Sequence, residues 1–178
     1  MNMQTLAWQP ADQGGQRLCM VRMGVFAHSL RAAAYLQKIR KSADRAITDL
    51  AKADKGLLHS ERIMLGWRHF GYLQHWRTLD ELLAWTHAEP HTNWWKDALQ
   101  RQRTRHDMAI YHETYLIDSH NVEAIYTNLG QARPGLSGLG LLVPPKGSLA
   151  TARGRISGTT VQEVTGEPAR SPGRPHSK

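Results

Sequence analysis

Between Leu18 and Asn128 two hydrophobic periods succeed one another, and their order restricts the fold more than any figure of composition. Leu18 to Phe26 reads as a strand, apolar throughout except Arg22. Ser29 is placed to cap a helix in which Leu36, Ile39, Ala43, Ala46, Ile47 and Leu50 form one stripe at three- and four-residue steps. Arg31, Lys38, Lys41 and Lys52 fall off that stripe and should face water, and Gly56 ends the unit. A second strand is expected at Leu57–Leu65 and, after Gly66, a third from about Trp67 to Arg77. Thr78 and Glu81 have the spacing of a capping box, opening a helix from Leu79 to about Ala88. Pro90 interrupts it, and Thr92 or Asn93 can restart it through about Thr104. Asp107–Ile117 and Val122–Asn128, joined by a turn at Asp118–Asn121, read as the fourth and fifth strands.

Strand, helix, strand, strand, helix, strand is the order of a ferredoxin-like α+β fold, an antiparallel sheet with two helices on one face. Such a sheet leaves its other face uncovered, so a homodimer is expected. The domain should span residues 17–143. Residues 1–16, with Gln9-Pro10 and Gly14-Gly15 as breakers, should be a flexible arm. From 144 to 178 Pro, Gly, Ser, Thr and Arg dominate and no aromatic occurs, which predicts a disordered basic tail. The Gly135–Leu142 run reads as a connection docked on the domain. Its spaced glycines precede no helical pattern, which argues against a phosphate loop.

The net charge of +8 suggests nucleic acid only until it is located. Half of it lies in the tail, and the rest is interspersed with acids, so a nucleic-acid partner is not expected. Cys19 is the sole cysteine, which excludes an intrachain disulfide and a cysteine-based zinc site and suits a cytoplasmic protein. No apolar leader and no stretch long enough to cross a bilayer is visible.

The chemistry-bearing residues concentrate in Ile110-Tyr-His-Glu-Thr-Tyr115 and Glu123-Ala-Ile-Tyr-Thr-Asn128. Strand alternation sends Met108, Ile110, His112, Thr114 and Leu116 to one face and Ala109, Tyr111, Glu113, Tyr115 and Ile117 to the other. His112 and Glu113 therefore do not share a pocket unless a bulge intervenes. A core histidine bonded to backbone is the plain reading of His112. Glu113, costly to bury alone, should meet a cation or a tyrosine hydroxyl. His87 and His91 lie four apart, but Pro90 stands between them and no third ligand has fixed spacing, so no metal site is expected. His69 and His75 read as surface or dimer-facing residues. Trp94, Trp95 and Leu99 read first as core, with His91 and Trp94 able to line a cavity mouth.

The segments Gly56–Leu58, Tyr72–Leu83, His91–Trp94, Ile110–Tyr115 and Glu123–Asn128, in this order and spacing, resemble the fumagillin-pathway monooxygenase-like family, a relative of the antibiotic-biosynthesis monooxygenases. The resemblance covers roughly residues 18–137. It departs at His75-Trp-Arg-Thr78, where the family usually shows Tyr-Trp-Arg-Ser, and at Asn128-Leu-Gly-Gln131, where it shows Asn-Met-Pro-Pro.

The resemblance implies a dimeric α+β barrel and a monooxygenase that uses dioxygen on a hydrophobic aromatic, polyketide- or terpenoid-like compound, with no metal or flavin. A base would deprotonate the substrate and the anion would pass an electron to dioxygen. His112 or His91 would be that base, with Glu113 the third catalytic candidate. Tyr115, Tyr126 and Asn128 would bind substrate oxygens, and Trp76 and Trp94 would supply flat walls. Two alternatives remain at this point: a haem enzyme of the same fold with His91 as axial ligand, and a non-catalytic dimer that binds a small ligand. The oxygenase reading supposes a greasy chamber, enclosed where two sheets press together, into which an imidazole projects.

Overall fold

The computed structural model describes residues 3–11 and 17–156. In chain order the main elements are β1 (Thr5–Pro10), β2 (Arg17–Ala27), α1 (Leu30–Lys52), β3 (Leu57–Ile63), β4 (His69–Trp76), α2 (Leu79–Thr86), α3 (His91–Arg105), β5 (Met108–Asp118), β6 (Ile125–Thr127), β7 (Gly140–Val143) and α4 (Ala152–Arg155). Short 3-10 turns at 119–121, 135–138 and 147–150 connect the later ones.

β3, β4, β2 and β5 form one antiparallel sheet in that order. This is the ferredoxin-like topology that the periodicities predict. The register sets Cys19 opposite Trp76 on one side and Leu116 on the other, so the alternate residues of three strands share a face. Cys19, Val21, Met23 and Val25 point toward the helices, as do Phe70, Tyr72, Gln74 and Trp76. Cys19, Val21, Leu57 and Trp76 pack against Leu50 of α1 and Leu82 of α2. Ala27 and Met108 pack against Ala32, Ala33 and Leu36, and Phe70 and Tyr72 pack against Ala43. Burying a side chain such as Leu82 contributes about 2 kcal/mol.

Each helix end has its cause. The Ser29 hydroxyl accepts from the Ala32 amide at 3.1 Å. Thr78 does the same for the Glu81 amide at 3.1 Å, while the Glu81 carboxylate turns to Arg77 at 2.8 Å. His106, left-handed at φ 50°, stops α3, and the Gln102 side chain ties its end to the Met108 carbonyl. The bidentate Arg101–Asp107 pair fixes the same corner and is only 13% and 15% exposed. α3 contributes no fully buried residue. Trp95 and Leu99, expected in the core, are 45% and 38% exposed.

Three expectations are corrected here. Residues 5–10 are not a loose arm: β1 is the central strand of a second sheet, ordered β6-β1-β7, and it buries Ala7 and Trp8. The fifth strand belongs to that second sheet and shrinks to Ile125–Thr127. The segment after Pro144 continues in order to Ile156, where Arg155 meets the Glu123 carboxylate and the Leu149 carbonyl. The remainder of the expected tail, 157–178, lies outside the described residues. No helix among the described residues is long and apolar enough to cross a membrane.

Candidate active site

A cavity of about 140 Å³ lies between the four-stranded sheet and the helices of one chain. Ile39, Ala43 and Ile47 of α1 form one wall, and Trp94, Trp95 and Ala98 of α3 form the roof. Met23, Val25, Phe70 and Tyr72 form the floor, with His91 and His112 at the rim. The volume is roughly that of a benzene-sized void. The roof explains why α3 buries nothing completely, since its apolar face looks onto a void. This cavity lies on the helix side of a single sheet, apart from the place where two sheets would press together.

His112 comes to the cavity because strand alternation puts it beside Met23 and on the helix side. Its ring is exposed at the open side of the cavity, and the apolar side chains on its inner edge lower its pKa from the ordinary histidine value by partial desolvation. His91 opens α3, and its Nδ1 lies 3.0 Å from the Thr86 carbonyl oxygen. That contact makes Nδ1 the donor in the neutral ring and leaves the lone pair on Nε2. Burial lowers its pKa most; the Thr86 contact works in the opposite sense, and charge on His112 or His87 lowers it further. Both shifts run toward the neutral ring, the form that can accept a proton, and His91 is the more enclosed of the two.

Gln74 is the polar group that sequence reasoning missed. It is 1% exposed, lines the cavity, and accepts from the Trp76 indole N–H at 3.1 Å. With Oε1 so engaged, its amide N–H groups are the side that can serve a ligand. The available signal was an amide on a face otherwise made of Phe70, Tyr72 and Trp76. Tyr72, also in the floor, donates to Asp44 at 2.5 Å; burial and that carboxylate push its phenol pKa up, so it stays protonated.

The other expected site residues lie elsewhere. Trp76 is 1% exposed and sits in the core beside Cys19, Leu50 and Leu82. Glu113 and Tyr115 are on the opposite face of the sheet, where Arg22 and the Tyr115 hydroxyl both bind the Glu113 carboxylate at 3.1 and 3.0 Å. Those two bonds hold the Glu113 pKa below the usual carboxylate range. Tyr126 and Asn128 brace the second sheet. Tyr126 pairs with Leu6 in β1, and Asn128 Oδ1 accepts from the Gln4 amide at 3.0 Å. Among the predicted residues, the cavity therefore gathers His91, His112 and Trp94.

On the opposite face His69 and His75 are buried at 2% and 4% exposure, not at the surface. Gly24 and Gly71 pair there, and the Tyr111 ring lies over them. Its hydroxyl reaches His69 Nε2 at 3.0 Å, and His69 Nδ1 accepts from the Leu65 amide at 2.9 Å. His87 Nδ1 is 2.7 Å from the Leu83 carbonyl, and no metal-binding group of three histidine, cysteine or acidic residues occurs among the described residues.

The family profile described as Monooxygenase af470-like matches residues 18–135, most of the chain and all of the sheet-and-cavity unit. The chain belongs to that family. No curated protein matches significantly. Among solved structures, aldoxime dehydratase OxdRE in complex with butyraldoxime is similar at TM-score 0.58 and 16% identity, over 85% of this chain and 42% of that one. A second aldoxime dehydratase gives 0.57 and 14% over 85% and 43%, so this chain spans less than half the length of either. A candidate antibiotic biosynthesis monooxygenase from Deinococcus radiodurans is 18% identical over 54% of this chain and 89% of that one, at 0.40. At these identities the likeness to the aldoxime dehydratases is one of α+β fold alone.

Proposed function

We propose that this chain is a monooxygenase for a small hydrophobic organic molecule with an acidic carbon, held between the sheet and α3. The observation that carries this reading is the convergence of His91 and His112 on one apolar cavity. His91 is the base: Thr86 holds its tautomer, and Nε2 takes a proton from a substrate CH2 group. His112 and the Gln74 amide hydrogen-bond the substrate oxygen on which the carbanion's charge delocalises. The carbanion passes one electron to dioxygen, and the radical and superoxide combine to a peroxide. The peroxide takes up a proton and loses water, so that CH2 and O2 become C=O and H2O. Trp94 and the α1 wall exclude bulk water from these charged species.

Haem, the alternative, finds a histidine with a suitable backbone partner in His91. The benzene-sized void of about 140 Å³ favours a small substrate over the macrocycle. A second copy placed on the outer face of the sheet is the natural cover for Tyr115, which is 41% exposed there, and a homodimer is part of the proposal.

The test uses an oxygen electrode with 2-indanone and phenylacetone, which carry activated methylenes next to an apolar ring. The proposal expects oxygen uptake, and a loss of about 100-fold or more in His91→Phe, the usual contribution of a general base. His112→Phe should raise KM as well as slow turnover. Uptake that is absent from the unaltered protein, or unchanged in His91→Phe, would refute it.

A further inference from the structure

Beyond the cavity, α1 borders a second depression, an open groove of about 860 Å³. We propose that this groove holds the anionic end of the substrate, so that the enzyme's ligand is a two-part molecule: an apolar head inside and a phosphate or carboxylate tail outside. This rests on the reading of the cavity as the substrate site.

Three observations carry it. First, Trp85 lines both spaces, and its ring centroid is 6.3 Å from that of His91. One side chain is therefore the partition between the groove and the candidate base. Second, α1 divides its faces between them. Ile39, Ala43 and Ile47 border the cavity, while Lys38, Lys41 and Arg45, at three- and four-residue steps, border the groove, with Lys55 beyond them. Third, these four cations face two acids, Asp49 and Glu89, and none of the four makes an ion pair among the described residues. A wholly apolar ligand has no use for such a border. A ligand with a charged tail is oriented by it, its head directed past Trp85 toward His91.

Isothermal titration calorimetry with a matched set of probes tests this: 3-phenylpropanol, 3-phenylpropyl phosphate and 4-phenylbutanoate. The phenyl group suits a benzene-sized void in all three. At low salt the two anions should bind about tenfold more tightly than the alcohol, the effect of two or three exposed charge contacts. The advantage should vanish in Lys41→Glu/Arg45→Glu and in 1 M salt, while the alcohol's affinity is unchanged. The milder Lys41→Ala/Arg45→Ala pair should lose most of it, which guards against a folding artefact of charge reversal. The tighter of the two anions identifies the tail. Equal binding of alcohol and anions, or a preference that survives both double variants, overturns the groove assignment and leaves the cavity reading intact. If no probe binds at all, both fall.

Discussion

Replacing Gly71 by Ala should cost about 2–4 kcal/mol, and the reason is specific to how β4 meets its neighbours. A Cβ built on Gly71 overlaps the Met23 carbonyl oxygen and lies 3.0 Å from the Tyr111 hydroxyl and 3.1 Å from Gly24 Cα. The carbonyl belongs to the sheet's inner pair of strands and cannot retreat without loosening the β2–β4 ladder. The Tyr111 ring would have to lift, which breaks its 3.0 Å bond to His69. Overpacking at about 1–3 kcal/mol plus one lost hydrogen bond at about 1 kcal/mol gives the total. Gly71 has no positive φ, so backbone strain adds nothing. The assay is urea unfolding followed by circular dichroism, with thermal melting beside it, where the loss corresponds to about 5–15 °C. Gly138→Ala is the control, because nothing lies within 4 Å of its added Cβ and its φ is not positive; it should stay within about 0.5 kcal/mol of the parent. If Gly71→Ala melts with the parent and the control, the Tyr111 ring does not lie over the glycine pair and the close packing of β2 on β4 is wrong.

Leu82→Ala should destabilise by about 2–5 kcal/mol in the same urea assay, because the side chain is 2% exposed in the cluster around Trp76; a loss under about 1 kcal/mol would place it outside the core. Gln74→Leu should cost about 1–3 kcal/mol by leaving the buried Trp76 N–H without an acceptor, and Trp76→Phe in that background should recover part of it. His69, His75, His91 and His112 all have folded pKa values below the ordinary one, chiefly through burial. They bind fewer protons folded than unfolded, so their contribution is complete above about pH 6.5 and is lost as the pH falls below it. Unfolding free energy measured at pH 7.5 and 5.5 should therefore drop at the lower pH, and a flat or rising profile would contradict the burial of His69 and His75 above all.

The four-stranded unit was legible because its periodicities are local: the stripe on α1, the Ser29 and Thr78 caps and the apolar runs needed no tertiary information. β1 was not. Its Leu6-Ala7-Trp8 centre is short and followed by Gln9-Pro10, and it is a strand only because β6 and β7 arrive from far along the chain to flank it. Alternation along β5 separated His112 from Glu113, yet it could not say which face met the helices; that depends on Leu50 and Leu82 choosing Cys19 and Trp76 as neighbours. Trp76 and Trp94 looked alike as flat walls. The register of β4 against β2 sends one into the core, and the roof position of α3 sends the other to the cavity. Gln74 went unnoticed because a glutamine in a strand reads as surface until its whole face is known to be covered.

The second sheet has a kinetic corollary. β1 leads the chain, but Thr5 pairs with Thr127 and Pro10 with Gly140, so its two neighbours are synthesised long after it. Such remote partners close slowly, whereas β2 through β5 can assemble with α1 and α2 as each appears. β1 therefore waits, unpaired and with two open edges, until β6 and β7 have been made, and its docking is expected after assembly of the four-stranded sheet.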